Sequence, residues 1–429
     1  MEIVIHPERA QWPALTRRNI PDDSAIESAV ADIVERVHRE GDAALRDYAL
    51  RFDGAELTAL EVTPQERQAA AAAVAEEVKA AIAVAAKNIA AFHTAQRPAP
   101  VDLHTQAGVH CVQRAVPIQR VGLYIPGGRA PLFSTVLMLG LPARIAGCRE
   151  VVLCTPQGRE GNIAPEILYA ADVCGITHIY RIGGAQAIAA MAYGTESVPR
   201  VDKIFGPGNR YVTKAKQYVS RSTAIDMPAG PSEVLVMADA TAQPAFVAAD
   251  LLSQAEHGPD SQAILVCDSE AIATAVAAEV ERQTALLRRG ENVAASLSKS
   301  RIIVVPTRRE MIDFANEYAA EHLIISMASP WEVADAITAA GSVFIGNYSP
   351  ESAGDYASGT NHTLPTGAWA RSYSGVNLDS FQRKITYQEL SQEGLAALAP
   401  TIIAMADAEG LDAHAAAVKV RQPKSDATR

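Results

Sequence analysis

The chain has 429 residues, 48% of them hydrophobic and 20% charged, a globular balance with room for two or three structured units that excludes a disordered or low-complexity protein. Its 49 acidic and 38 basic residues leave a net charge of −11, which repels phosphate backbones and, with no basic stripe in view, argues against a nucleic-acid partner. Uncharged stretches such as 336–350 fall short of the ~20 apolar residues of a membrane span and are broken by glycines and polar side chains, so a soluble protein is expected.

The N-terminus, MEIVIHPERAQWP, lacks a basic segment followed by an apolar one, so no secretory signal is expected and the cytoplasm is the expected compartment. Five cysteines (Cys111, Cys148, Cys154, Cys174 and Cys267) form no C-x-x-C pair, which argues against a disulfide framework or a thiolate zinc site.

In chain order, residues 25–48 and 65–92 are rich in Ala and Glu, with apolar residues three and four apart, and read as helices that end before Pro98 and Pro100. A β-rich passage, GVHCVQRAVPIQRVGLYIPGG, follows. Then the rhythm alternates: strands at 121–125, 150–153, 177–181 and 203–205 are separated by helices at 134–146, 165–173 and 185–193, and a helix at 208–219 closes the series. That alternation predicts a parallel sheet. A second α/β series has strands at 233–237, 263–267, 301–305, 323–326 and 342–345, with helices at 244–255 and 269–282 and one ending near 320. Beyond Ser372 a helical pattern is expected from Thr386 to a last helix near 404–420, and the polar end QPKSDATR reads as frayed.

Four polar groups could carry chemistry. Gln254 and His257 stand three apart at a predicted helix end, on one face where they could share a cation, although this fragment alone reads more readily as a solvent-facing cap before Gly258-Pro259. Asp355, Asn361 and His362 lie in SAGDYASGTNHTLPT, a polar segment that suits either a site loop or a cluster of Asx turns. Glu409 and His414 flank the last helix and, alone, read as surface residues. Glu321-His322, at a helix-to-strand junction, suits either two proton-transfer steps or an ordinary helix terminus.

Glycine loops at 126–128, 183–186 and 205–209 each lie between a strand and a helix, where open sheets bind ligands. None fits G-x-G-x-x-G, and neither a G-x-S-x-G elbow nor a Walker lysine loop is present, so nicotinamide binding is not read from motif and the hydrolase and phosphoryl-transfer readings weaken.

The segments VGLYIPGGRAPLFSTVLMLGLPARIAGC, RIGGAQAIAAMAYGTESVPRVDKIFGPGN, DMPAGPSEVLVMAD, LLSQAEHGPDSQA, AAEHLIIS, SAGDYASGTNHTLPT and QELSQEGL, in this order, closely resemble the histidinol dehydrogenase family over almost the whole chain. The resemblance implies oxidation of L-histidinol to L-histidine through L-histidinaldehyde, with two hydride transfers to NAD, as the final steps of histidine biosynthesis. Position by position it implies one Zn2+ per subunit held by Gln254, His257, Asp355 and His414, with His322 and Glu321 as the acid–base pair. His322 would take the alcohol proton and Glu321 would activate water; a neutral imidazole near its ordinary pKa and a carboxylate tuned upward suit those tasks. Ser232, Gln254, His257, His322, Asp355, Glu409 and His414 match substrate contacts, and Tyr124, Gln186 and Asn209 match NAD contacts. The family's intertwined homodimer implies that Glu409 and His414 act in trans.

The expected fold is therefore two Rossmann-like open α/β sheets with an incomplete dinucleotide-binding pattern and helical terminal segments. The expected division is an N-terminal arm at 1–22, a metal- and substrate-binding α/β domain at 23–120 and 237–375, an NAD-binding domain at 121–236, and a helical C-terminal segment at 376–429 that reaches the partner. Three rivals stand beside it: a relative that oxidises another polar alcohol on the same zinc and NAD framework, a zinc hydrolase without NAD, and a binding protein with a structural metal. Glu409 favours histidinol. A cysteine nucleophile has no obvious base near Cys111 or Cys148.

Overall fold

The computed structural model describes residues 1–18, 23–127, 131–228, 230–287 and 290–422; Gly128 of the first glycine loop and the polar tail beyond Gln422 lie outside the described residues. The chain divides into two compact units, Met1–Gln96 with Ile118–Phe381, and Arg97–Pro117 with the chain from Gln382 on.

The first unit holds two open sheets, parallel throughout. One runs in the order His178–Arg181, Glu150–Thr155, Arg120–Tyr124, Lys203–Phe205 and Ala224–Ile225. The other runs Glu2–Ile5, Arg301–Val304, Gln262–Cys267, Glu233–Ala238, His322–Ser326 and Ser342–Ile345. The central strands Glu233–Ala238 and Gln262–Cys267 are buried at every residue, as expected of β-branched runs covered by helices on both faces. Helix starts follow side-chain chemistry: the Ser269 hydroxyl accepts from the N–H of Ile272, and the Thr307 hydroxyl from that of Glu310.

The two alternating series anticipated nine strands of the two sheets, with bounds within two residues, and missed the edge strands Glu2–Ile5 and Ala224–Ile225. Other features differ as well. Residues 25–48 form two helices, Ser24–Glu40 and Asp42–Tyr48, broken at Gly41 with φ +54°, and residues 65–92 split into Pro64–Ala73 and Glu76–Ala95. These helices cover the five-stranded sheet: Val30, Val34 and Val37 share a core with Ala187, Ile188 and Met191, while Ile82 and Ile89 share another with Val136 and Leu139. The contacts thus place 23–96 with the sheet expected to bind NAD, whereas the sequence division grouped them with the other. The N-terminal arm supplies an edge strand, Glu2–Ile5, paired with Arg301–Val304, and buries Trp12 against Phe314 at 5.2 Å.

The expected helix from Thr386 is corrected. Gln382–Leu390 is a strand, paired antiparallel with Val109–Pro117, which in turn pairs with Val101–Gln106. Helices Gln392–Ala408 and Asp412–Lys419 follow in the second unit.

Candidate active site

Both sheets present residues to a cleft of about 770 Å³ lined by Asn209, Arg210 and Lys214 on one side and Ser232, His257 and Lys299 on another. The five-stranded sheet offers the carboxyl ends of its strands, where the three glycine loops lie, as open α/β sheets usually do. Tyr124 ends its strand buried, and its hydroxyl accepts the Gly184 N–H at 3.1 Å; burial pushes its pKa up to about 12. Gln186 is buried in the first turn of Gly184–Tyr193, and Asn209 caps Arg210–Val219 by accepting the Val212 N–H at 3.1 Å.

The loop before Asn209 is held from below. Gly206, at φ +124°, approaches Tyr124 so closely that a Cβ would lie 2.1 Å from the Tyr124 carbonyl oxygen. The ammonium of Lys216 donates to the Gly206 carbonyl at 2.9 Å and pairs with Asp226, whose carboxylate accepts the Gly206 N–H at 2.8 Å.

The six-stranded sheet offers the opposite edge, the amino ends of its strands. Ser232 precedes Glu233, the first residue of its strand, and Glu321 precedes His322, the first of the adjacent strand, with His322 in register between Val234 and Ser342. At such an edge a strand's leading N–H is available to a side chain: that of Glu233 donates to Glu321 Oε2 at 2.9 Å.

His322 is 3% exposed and ringed by carboxylates. Its Nδ1 stands 3.7 Å from Glu321 and 3.7 Å from Glu351, and its Nε2 3.7 Å from Asp355, yet neither nitrogen has a hydrogen-bond partner among the described residues. Burial depresses the imidazole pKa, but Glu351, Glu321 and Asp355 outweigh it and hold the ring well above its ordinary value. The ring is thus displaced upward from the near-ordinary value that the sequence reading favoured. Glu321 follows the expected direction: burial pushes it up to about 8 against the pull of His322 and the Glu233 N–H. Burial also raises Glu351, whereas at Asp355 the imidazoles of His322, His362 and His257 outweigh burial and hold the carboxyl low.

Gln254, fully buried at the end of helix Pro244–Ala255, lies 3.3 Å by its Nε2 from His257 Nδ1, and its Oε1 has no partner among the described residues. His257 is solvent-accessible, but desolvation of its ring lowers its pKa, with Asp355 opposing. One ligand atom each from His257, Glu351 and Asp355 falls within 4.8 Å of the others. Orphaned oxygens on Gln254 and Glu351, a nitrogen on His257 and no thiolate make a donor set that fits a divalent cation of borderline softness.

The structure thus brings together Gln254, His257, Asp355, Glu321 and His322, and adds Glu351, which the sequence reading missed. The polar segment read as a loop carries a short helix, Glu351–Tyr356, whose first residue is Glu351; its i, i+4 spacing to Asp355 was the available signal. His362 and Asn361 turn out to brace that segment. His362 Nδ1 donates to the Asp355 carbonyl at 2.9 Å and its Nε2 accepts from Thr135 at 3.1 Å, while Asn361 donates to the Met138 carbonyl at 2.6 Å. Glu409 and His414 belong to the second unit, where both are exposed.

All five cysteines are free, and burial raises the thiols of Cys148 and Cys174 to about 12 and that of Cys267 to about 11. No described helix is long and apolar enough to cross a membrane.

Comparison with known proteins gives one consistent result. The family model described as histidinol dehydrogenase matches residues 16–422. A histidinol dehydrogenase of Bacteroides thetaiotaomicron is 55% identical over 422 residues, covering 98% of this chain and 99% of the relative. One of Salmonella typhimurium is 56% identical over 418 residues, covering 97% and 95%. The crystal structure of the histidinol dehydrogenase from Elizabethkingia anophelis superimposes with a TM-score of 0.96 at 51% identity, over 98% of both chains.

Proposed function

The chain belongs to the histidinol dehydrogenase family, and from that premise we propose that it is a cytoplasmic homodimer that oxidises L-histidinol to L-histidine through L-histidinaldehyde, with zinc and two successive NAD molecules. The observation that carries the reading is the unpartnered, carboxylate-ringed His322 beside the cation donors Gln254, His257, Glu351 and Asp355.

Gln254, His257 and Asp355 would hold the metal with His414 contributed in trans, and Glu351 lies close enough to join them. When bound, zinc supplies a rigid grip on two substrate nitrogens and NAD the hydride acceptor. The residues do the rest. With Asp355 and Glu351 holding the metal, their pull on the His322 proton would be weaker, and a neutral imidazole would accept the alcohol proton as hydride leaves the substrate carbon for NAD. Glu321, desolvated and raised, would accept a proton from the water that adds to the aldehyde, and transfer of a second hydride from the resulting hydrate anion to NAD would yield the carboxylic acid. Ser232 and Glu409 would orient the substrate, and Tyr124, Gln186 and Asn209 would seat the cofactor beside the glycine loops.

The test is stoichiometric. Purified zinc-loaded protein given limiting L-histidinol and excess NAD should yield two NADH per substrate by absorbance. One per substrate would indicate a different alcohol chemistry, and none would sink the proposal.

A further inference from the structure

Arg18 of the N-terminal segment reaches the edge that carries the acid–base pair. Its Nε and Nη2 donate to the two carboxylate oxygens of Glu233, both at 2.7 Å, its Nη2 also donates to the Tyr318 carbonyl at 2.6 Å, and its Nη1 donates to the Thr16 carbonyl at 3.0 Å. The guanidinium lies 3.7 Å over the Tyr318 ring. The Arg18 side chain is 13% exposed and that of Glu233 1%, so two charges have been taken out of water for a fixed geometry.

What this geometry fixes lies next to the proposed chemistry. Glu233 is the residue whose N–H holds Glu321 Oε2, and Tyr318 ends the helix Arg308–Tyr318, whose chain turns at Ala319, φ +53°, directly into Ala320, Glu321 and His322. One planar fork therefore ties together the two backbone segments between which the Glu321 carboxylate is held. We propose that Arg18 is a positioning residue for Glu321: by clamping and neutralising Glu233 and gripping the Tyr318 carbonyl, it sets where the Glu321 carboxylate stands. Burial and the negative charge of Glu233 both raise the Glu321 carboxyl, so the neighbour that Arg18 neutralises is one to which Glu321 responds.

This inference rests on the proposed role of Glu321 in the aldehyde step, and the experiment separates the two. Zinc-loaded Arg18→Met, Glu321→Gln and the double variant are compared on histidinaldehyde and NAD. Arg18→Met should lower kcat about 10²-fold, the scale of a slightly misplaced catalytic group, with both KM values changed less than about threefold. In the Glu321→Gln background the same change should cost less than about threefold, since effects passed through one residue do not add. Arg18→Lys, which keeps the charge without the fork, should fall between and shows the same non-additivity if Arg18→Met does not fold. Equal losses from Arg18→Met in both backgrounds, or no loss in either, would overturn the inference. Undiminished histidinaldehyde oxidation in Glu321→Gln alone would instead overturn the assigned role of Glu321.

Discussion

Replacing Lys216 with methionine removes one half of an ion pair in which Lys216 is 4% and Asp226 1% exposed. The Asp226 carboxylate keeps the N–H groups of Gly206 and Met227 and the field of Lys203 but loses the ammonium paired with it, and the Gly206 carbonyl loses the donor at 2.9 Å. Breaking a buried pair by removing one partner costs about 3–5 kcal/mol. At roughly 2 °C per kcal/mol for a cooperative unit of a few hundred residues, melting should fall by about 6–10 °C. If about 1.4 kcal/mol of that loss falls on the turn that ends at Asn209, the Kd for NAD rises about tenfold. Scanning fluorimetry and NAD titration read the two effects. Lys216→Met combined with Asp226→Asn removes the stranded charge and should recover at least half of the lost stability. A single variant that melts within 1 °C of the parent, or a double variant no more stable than the single, would refute the reasoning.

His257→Ala should lose zinc and turnover together, as metal analysis of the purified protein would show; full metal content would remove His257 from the ligand set. Mixing subunits carrying His414→Ala with subunits carrying His257→Ala should restore partial activity if the site is shared, and an inactive mixture after verified exchange would mean that each site is built within one chain. With the Glu321 carboxyl raised to about 8 from 4.5, histidinaldehyde oxidation should rise with pH and level off above about 8. The stability effect has the opposite sign: the folded state holds an extra proton between those two values, so this contribution is full below 4.5 and is lost as pH rises through 8. Glu321→Gln should flatten both profiles, and unchanged profiles would show that another group titrates. Because burial raises the Cys148 and Cys174 thiols to about 12, iodoacetamide at pH 7.5 should leave activity intact, and rapid inactivation would reopen a thiol mechanism.

The sheets were legible because parallel strands buried on both faces read as short apolar runs separated by helical stretches. Gln382–Leu390 was not, because all but Gln382 and Ile385 of QRKITYQEL are exposed and its partner, Val109–Pro117, is remote in sequence. Glu2–Ile5 is largely exposed at a sheet edge and carries the same weak signal. At the site, spacing could pair Gln254 with His257, but only the fold brings Asp355 and Glu351 to them across about a hundred residues. Nor could sequence give the tuning of His322, since three carboxylates from two segments converge on it.

The pairing of Gln382–Leu390 with Val109–Pro117 has a consequence during synthesis. The hairpin Val101–Pro117 leaves the ribosome with one edge unclaimed, and about 265 further residues must be translated before its mate begins to emerge. At roughly 5–20 residues per second, that is a wait of about 13–53 s. Throughout it, a ladder of bare amides and carbonyls stands open to any passing strand, so nascent chains of this enzyme should depend on chaperones in proportion to how slowly the stretch between Pro117 and Gln382 is translated.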